Sequence, residues 1–88
     1  MDTVIYAEVE RELYVWTGRR GWYHVTFRAN AARNAFAYPD PAGAAGALSR
    51  HKKSAAGWPV QRLRWDHAHA GSLDDALAVF DRSLYAGQ

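Results

Sequence analysis

The sequence predicts an α+β domain: a three- to five-stranded, mainly antiparallel sheet with two helices, in the approximate order β-β-β-(β)-α-β-α. Three observations carry that prediction. Aromatic and β-branched runs flank Thr17-Gly18-Arg19-Arg20-Gly21, an Asp40-Pro41 pair opens a helix, and a capped apolar stripe follows Ser72. The 88 residues make a single compact domain, 1–88, and a chain of this size buries roughly 60–65% of the surface it exposes when unfolded.

Taken in order, Thr3 to Val9 reads as a strand, or as the start of one long strand reaching Trp16. The acidic stretch Glu8-Val9-Glu10-Arg11-Glu12 is then a turn or a solvated continuation. A hairpin follows, from Leu13–Trp16 to Trp22–Phe27. A two-residue turn at Arg19-Arg20 would set Trp16 opposite Tyr23 and mix polar with apolar groups on one face. A five-residue loop pairs Trp16 with Trp22, Tyr14 with His24, Glu12 with Thr26 and Glu10 with Arg28. Val15 with Tyr23, Leu13 with Val25 and Val9 with Ala29 fall on the other face. Because side chains alternate with period two, the second register separates the faces and sets opposite charges across from each other.

Ala29 to Tyr38 reads either as a short helix capped by Asn30 and running through Phe36, or as a turn into a strand Ala35–Tyr38; we take the strand. Pro39 ends either one. Asp40 at N-cap and Pro41 at the first helical position start a helix to about Ala56, stopped by Gly57. Its Ala- and Gly-rich first half allows close approach to a sheet. Its last turns carry Arg50-His51-Lys52-Lys53, where the helix dipole favours cations. Trp58–Trp65 reads as a strand with Leu63 and Trp65 on one side and Arg62 and Arg64 on the other. Asp66-His67-Ala68-His69 is its polar end, leading into an Ala70-Gly71 turn. In the last helix Ser72 and Asp75 make a capping box, Leu73, Leu77, Phe80 and Leu84 form the buried stripe, and Gly87 closes the end.

Charge is unevenly distributed. Residues 1–12 carry Asp2, Glu8, Glu10 and Glu12 against Arg11, a net −3. Residues 13–64 carry Arg19, Arg20, Arg28, Arg33, Arg50, Lys52, Lys53, Arg62 and Arg64 against Asp40, a net +8. Residues 65–88 carry Asp66, Asp74, Asp75 and Asp81 against Arg82, again −3. Either folding interleaves these blocks into internal ion pairs, or a basic surface remains that suits an anionic partner.

Several chemistries find no support. There is no cysteine, so disulfides and thiolate metal sites are excluded, and a reducing, cytoplasmic compartment is the expectation. The N-terminus lacks the positive charge and apolar run of a secretory signal. No segment approaches the roughly 18 apolar residues of a membrane span. His67 and His69 could share one ion, but zinc needs a third ligand, and no spacing brings His24, His51, Asp66 or Asp74 to them. Ser49, Ser54, Ser72 and Ser83 lack a nucleophile elbow. Gly18/Gly21 and Gly43/Gly46 match no nucleotide fingerprint. Neither an enzyme nor a cofactor is expected, and no small-molecule substrate is inferred.

The remaining feature is the hairpin face with Tyr14, Trp16, Trp22 and His24, bordered by Arg19, Arg20 and Arg28. Left open, it is a platform on which bases stack or a protein-binding hot spot; roofed by the alanine-rich helix, it is a second core layer. Arg50, Lys52 and Lys53, with Arg62 and Arg64, form either a cationic ridge near Trp58 or solvated charge. The expected function is non-catalytic binding through this basic-aromatic surface. The partner would be a protein complex that handles nucleic acid, engaged in the manner of an anti-CRISPR inhibitor from a phage or mobile element. Direct binding of DNA or RNA is the alternative.

Overall fold

The structure, a computed structural model, describes residues 2–51, 63 and 67–86. Strand β1 (Thr3–Val9) runs into a turn at Glu10 and Arg11, whose φ angles of 53° and 66° are both left-handed. Two left-handed residues in succession match the twist of a tight hairpin, so the acidic stretch is a turn rather than a continuation. β2 (Glu12–Trp16) returns antiparallel to β1, with Val9 opposite Glu12 and Tyr6 opposite Val15.

β3 (Trp22–His24) pairs with β2 in the register expected from the five-residue loop: Tyr14 with His24, Val15 with Tyr23, Trp16 with Trp22. The loop is closed by its own polar groups. The Thr17 backbone N–H and hydroxyl both donate to the Gly21 carbonyl (2.9 and 2.7 Å), and the Arg20 N–H donates to Thr17 Oγ1 at 3.0 Å. Regular pairing stops at His24, earlier than the sequence implied. One further bond, from the Val25 N–H to the Leu13 carbonyl (2.9 Å), precedes a sharp change of direction.

That change begins α1 (Arg28–Asn34), which the sequence left as one of two alternatives. The helix starts two residues before Asn30, with Phe27 at N-cap and no side-chain cap. Asn30 instead points its amide at the Tyr23 hydroxyl, 3.2 Å away. The strand expected over Ala35–Tyr38 shrinks to one bridge, in which Tyr38 and Thr3 exchange backbone bonds of 2.7 and 2.8 Å.

α2 (Pro41–His51) opens as its sequence requires, the Gly43 N–H donating to Asp40 Oδ1 at 2.7 Å. The expected continuation to Ala56 and most of the strand over Trp58–Trp65 lie outside the described residues; Leu63 is described and buried. Ala70-Gly71 is not a turn. It belongs to β4 (Ala68–Ser72), antiparallel to β1 with Ile5 opposite Ala70 and Thr3 opposite Ser72. A Cβ at Gly71 would lie 2.9 Å from Asp75 Oδ2 and 3.2 Å from the Tyr6 ring, so the glycine permits close approach there.

α3 (Leu73–Asp81) carries the capping box in full: the Asp75 N–H donates to Ser72 Oγ and the Ser72 N–H to Asp75 Oδ2, each at 3.1 Å. Its buried residues are Ala76, Val79 and Phe80, with Leu73 and Leu77 packed beside them. Leu84 lies beyond the helix and is exposed, so the expected stripe is corrected at that position.

The described chain is therefore α+β, with a four-stranded antiparallel sheet in the order β3-β2-β1-β4 and three helices, one more than expected. Period-two alternation gives the sheet two apolar faces. Val4, Leu13, Val15 and Val25 pack with Ala31 of α1 and with Ala76, Val79 and Phe80 of α3. Ile5, Ala7, Val9, Tyr14, Trp16, Trp22 and Ala68 pack with Leu63 and with Ala44 and Ala47 of α2.

Candidate docking surface

The second of those faces is the one that displays the hairpin aromatics, and it is covered: Ala44 and Ala47 of α2, which packs over β1 and β4, share the buried cluster with them and with Leu63. Tyr14 is 4% exposed, Trp16 7% and Trp22 7%. Trp16 meets Trp22 edge to face at 5.4 Å, and the His51 ring lies 4.9 Å from Trp16. The physical reason was present in the sequence: the buried positions of α2 are the small Ala44 and Ala47, with Leu48 only partly buried, so the large rings supply much of the volume of this layer. The open stacking platform is thereby overturned, and Tyr14, Trp16 and Trp22 are core residues.

His24 and Arg28 are also drawn away from the hairpin tip. His24 stacks on Tyr14 (4.8 Å), meets Tyr85 edge-on (5.3 Å) and holds Nε2 3.6 Å from Glu12 Oε2. Burial raises the Tyr14 hydroxyl above its ordinary pKa, and the neighbouring Glu12 and Tyr85 add to that. Arg28 does not face Glu10 as the extended register implied. Because β3 stops at His24, Arg28 starts a helix and pairs with Asp81 at 3.1 Å.

What survives is the tip itself. Arg19 and Arg20 are exposed on the loop, and Arg50 is exposed in the last turn of α2. Lys52, Lys53, Arg62 and Arg64 lie outside the described residues. Two neighbours that the sequence did not single out join them. Arg33 is exposed in the last turn of α1, and the Arg20 guanidinium donates to Asn34 Oδ1 beside it at 3.5 Å. Phe36 is 45% exposed. Its N–H donates to the Trp16 carbonyl at 2.8 Å, and its ring lies 4.7 Å from that of Tyr38.

Gly18 seats that ring. Its φ of +86° suits glycine, and a Cβ there would stand 3.0 Å from Phe36 Cδ2. Tyr38 completes the cluster: burial raises its hydroxyl pKa, while the neighbouring Trp16 side chain and the charge of Arg50 pull it the other way. The only sequence signal for Phe36 was a large apolar residue in a segment with no clear periodicity.

The arginines divide sharply by location. At the β1–β2 turn and the end of α3 they are engaged: Arg28 with Asp81, Arg82 with Glu8 (3.7 Å), and Arg11 donating to the Arg82 carbonyl (3.3 Å). Around the tip, the side chains of Arg19, Arg33 and Arg50 make no hydrogen bond or ion pair among the described residues, and Arg20 reaches only a neutral amide. Internal ion pairing thus accounts for one group of arginines and not the other.

Elsewhere, His69 lies across from Tyr6 with ring centroids 5.8 Å apart, and no group of three or more metal-binding side chains converges among the described residues. No helix among them is long and apolar enough to cross a membrane. No protein-family model, curated protein or solved structure matches this chain.

Proposed function

We propose that this chain is a small non-catalytic binding protein, working in the cytoplasm, that docks onto an acidic face of a nucleic-acid-handling protein complex. The observation behind this reading is the set of arginines that have no acidic partner among the described residues, around a half-exposed Phe36. An arginine presents a rigid fork that matches carboxylates bidentately. The sign of the charge narrows the mode of action. A nucleic-acid mimic would be acidic, whereas this tip is repelled by a phosphate-binding groove and attracted to carboxylates elsewhere on the same complex. Burial of both hairpin tryptophans weighs against direct nucleic-acid binding, because it removes the stacking surface that single strands use.

The test is co-purification of the tagged protein from its native host, with and without nuclease, beside an Arg19→Glu/Arg20→Glu variant. The expected result is a protein partner retained after nuclease treatment and lost with the double variant, whose fold by circular dichroism is unchanged. Equal recovery with both proteins would retire the hairpin tip as the docking site. Release by nuclease, with affinity for DNA falling steeply as salt rises, would put direct nucleic-acid binding in its place.

A further inference from the structure

Resting on that docking reading, we infer that Phe36 is the apolar anchor of the tip, with Gly18 as its positioning residue, and that the surface it enters is an acidic protein face bearing an apolar pocket. Protein interfaces concentrate their affinity in one or two large rings that enter a pocket, ringed by polar groups that exclude water. Among the described residues the large exposed apolar side chains are Phe27, Phe36 and Leu84. Phe27 and Leu84 belong to the engaged end: Phe27 precedes Arg28, which pairs with Asp81, and the Leu84 N–H donates to the Arg11 carbonyl. Phe36 alone of the three lies against the loop that carries Arg19 and Arg20, through its contact with Gly18.

The ring is also held in place before any partner arrives. Its backbone is fixed to Trp16, a core residue, and the Tyr38–Thr3 bridge fixes the chain two residues later. The loop beneath it is closed by Thr17. A side chain already immobilised loses little entropy on binding, which raises the affinity it contributes. The positive charge beside it, which meets no acidic partner among the described residues, selects an acidic surround. A phosphate backbone would satisfy the arginines but would leave the exposed part of the ring in water, unless a base stacked on it.

The test uses defined probes: an acidic helical peptide of glutamates with a leucine stripe, the same peptide with each leucine replaced by serine, and an oligo-dT of equal charge. Fluorescence anisotropy at low salt reads their affinities for the full chain. Wild type is expected to prefer the leucine peptide over the serine peptide by about tenfold. Phe36→Ala should bind both peptides alike, at the serine-peptide level, while Phe27→Ala keeps the preference. Gly18→Ala should lose the preference but keep charge-driven binding, because its new methyl displaces the ring; should that variant fail to fold, Phe36→Ala still decides the matter. An unchanged preference in Phe36→Ala, no preference in wild type, or oligo-dT binding tighter than either peptide and dependent on Phe36 would each overturn the inference. If Arg19→Glu/Arg20→Glu still loses the cellular partner in that event, only the anchor is wrong; if it keeps the partner, the docking reading itself has failed.

Discussion

The two faces of the sheet are both buried, but by opposite divisions of labour. On the face toward α2 the sheet supplies most of the bulk, with Tyr14, Trp16 and Trp22, while the helix contributes Ala44, Ala47 and the partly buried Leu48, and Leu63 joins from outside both. Under α1 and α3 the sheet contributes Val4, Leu13, Val15 and Val25, and the helices answer with Val79 and Phe80 as well as Ala31 and Ala76. The comparison shows that aromatic strands and an alanine-rich helix are complementary halves of one packing solution. Neither half indicates by itself which surface is open.

The largest effect should come from removing bulk where the helix cannot replace it. Trp22→Ala is expected to cost about 3–5 kcal/mol, as large aromatic deletions in cores do, measured by denaturant unfolding. A loss under about 1 kcal/mol would mean that the tryptophan layer stands open in solution, and the contrast between the faces would collapse.

The converse substitution adds bulk to the helix that lacks it. Ala47 is 2% exposed and belongs to the cluster that contains both hairpin tryptophans. Ala47→Leu should destabilise by about 1–3 kcal/mol through overpacking, whereas the same change at exposed Ala45 should stay within about 0.5 kcal/mol. Similar effects at the two positions would show that α2 does not seat closely on the sheet.

What the sequence disclosed, and what it did not, follows the same distinction between local and long-range causes. The hairpin register was legible because period-two alternation and loop length decide it locally, and the starts of α2 and α3 because Asp40 and Ser72 are cap residues beside their own helices. α1 was not legible. Its N-cap has no side-chain bond, and its tertiary contacts include the burial of Ala31, the Asn30–Tyr23 and Arg20–Asn34 bonds and the Arg28–Asp81 pair. β4 was misread because Gly71 resembles a turn residue, when its role is to let Tyr6 and Asp75 approach. At the candidate site, Arg19, Arg20 and Arg50 could be picked out from charge alone. Phe36 could not, since its position depends on contact with Gly18 and on a bridge between residues 3 and 38.

The smallest of these effects tests whether the face under α3 depends on local capping as much as on packing. Ser72→Ala removes the oxygen that accepts from the Asp75 N–H. It leaves the reciprocal bond from the residue-72 N–H to the Asp75 carboxylate, and it leaves Asp74 and Asp75 in the first turn, where the helix dipole favours negative charge. Half the box therefore persists, and the expected loss is about 1 kcal/mol, typical of a single cap oxygen. Thermal and denaturant unfolding should agree on that value, and both should fall well short of the Trp22→Ala loss. A loss matching Trp22→Ala would mean that α3 cannot dock unless its first turn is pre-formed. The stability of the valine-rich face would then rest on the four residues of the capping box, and the contrast between the two faces would become one of local initiation against long-range packing.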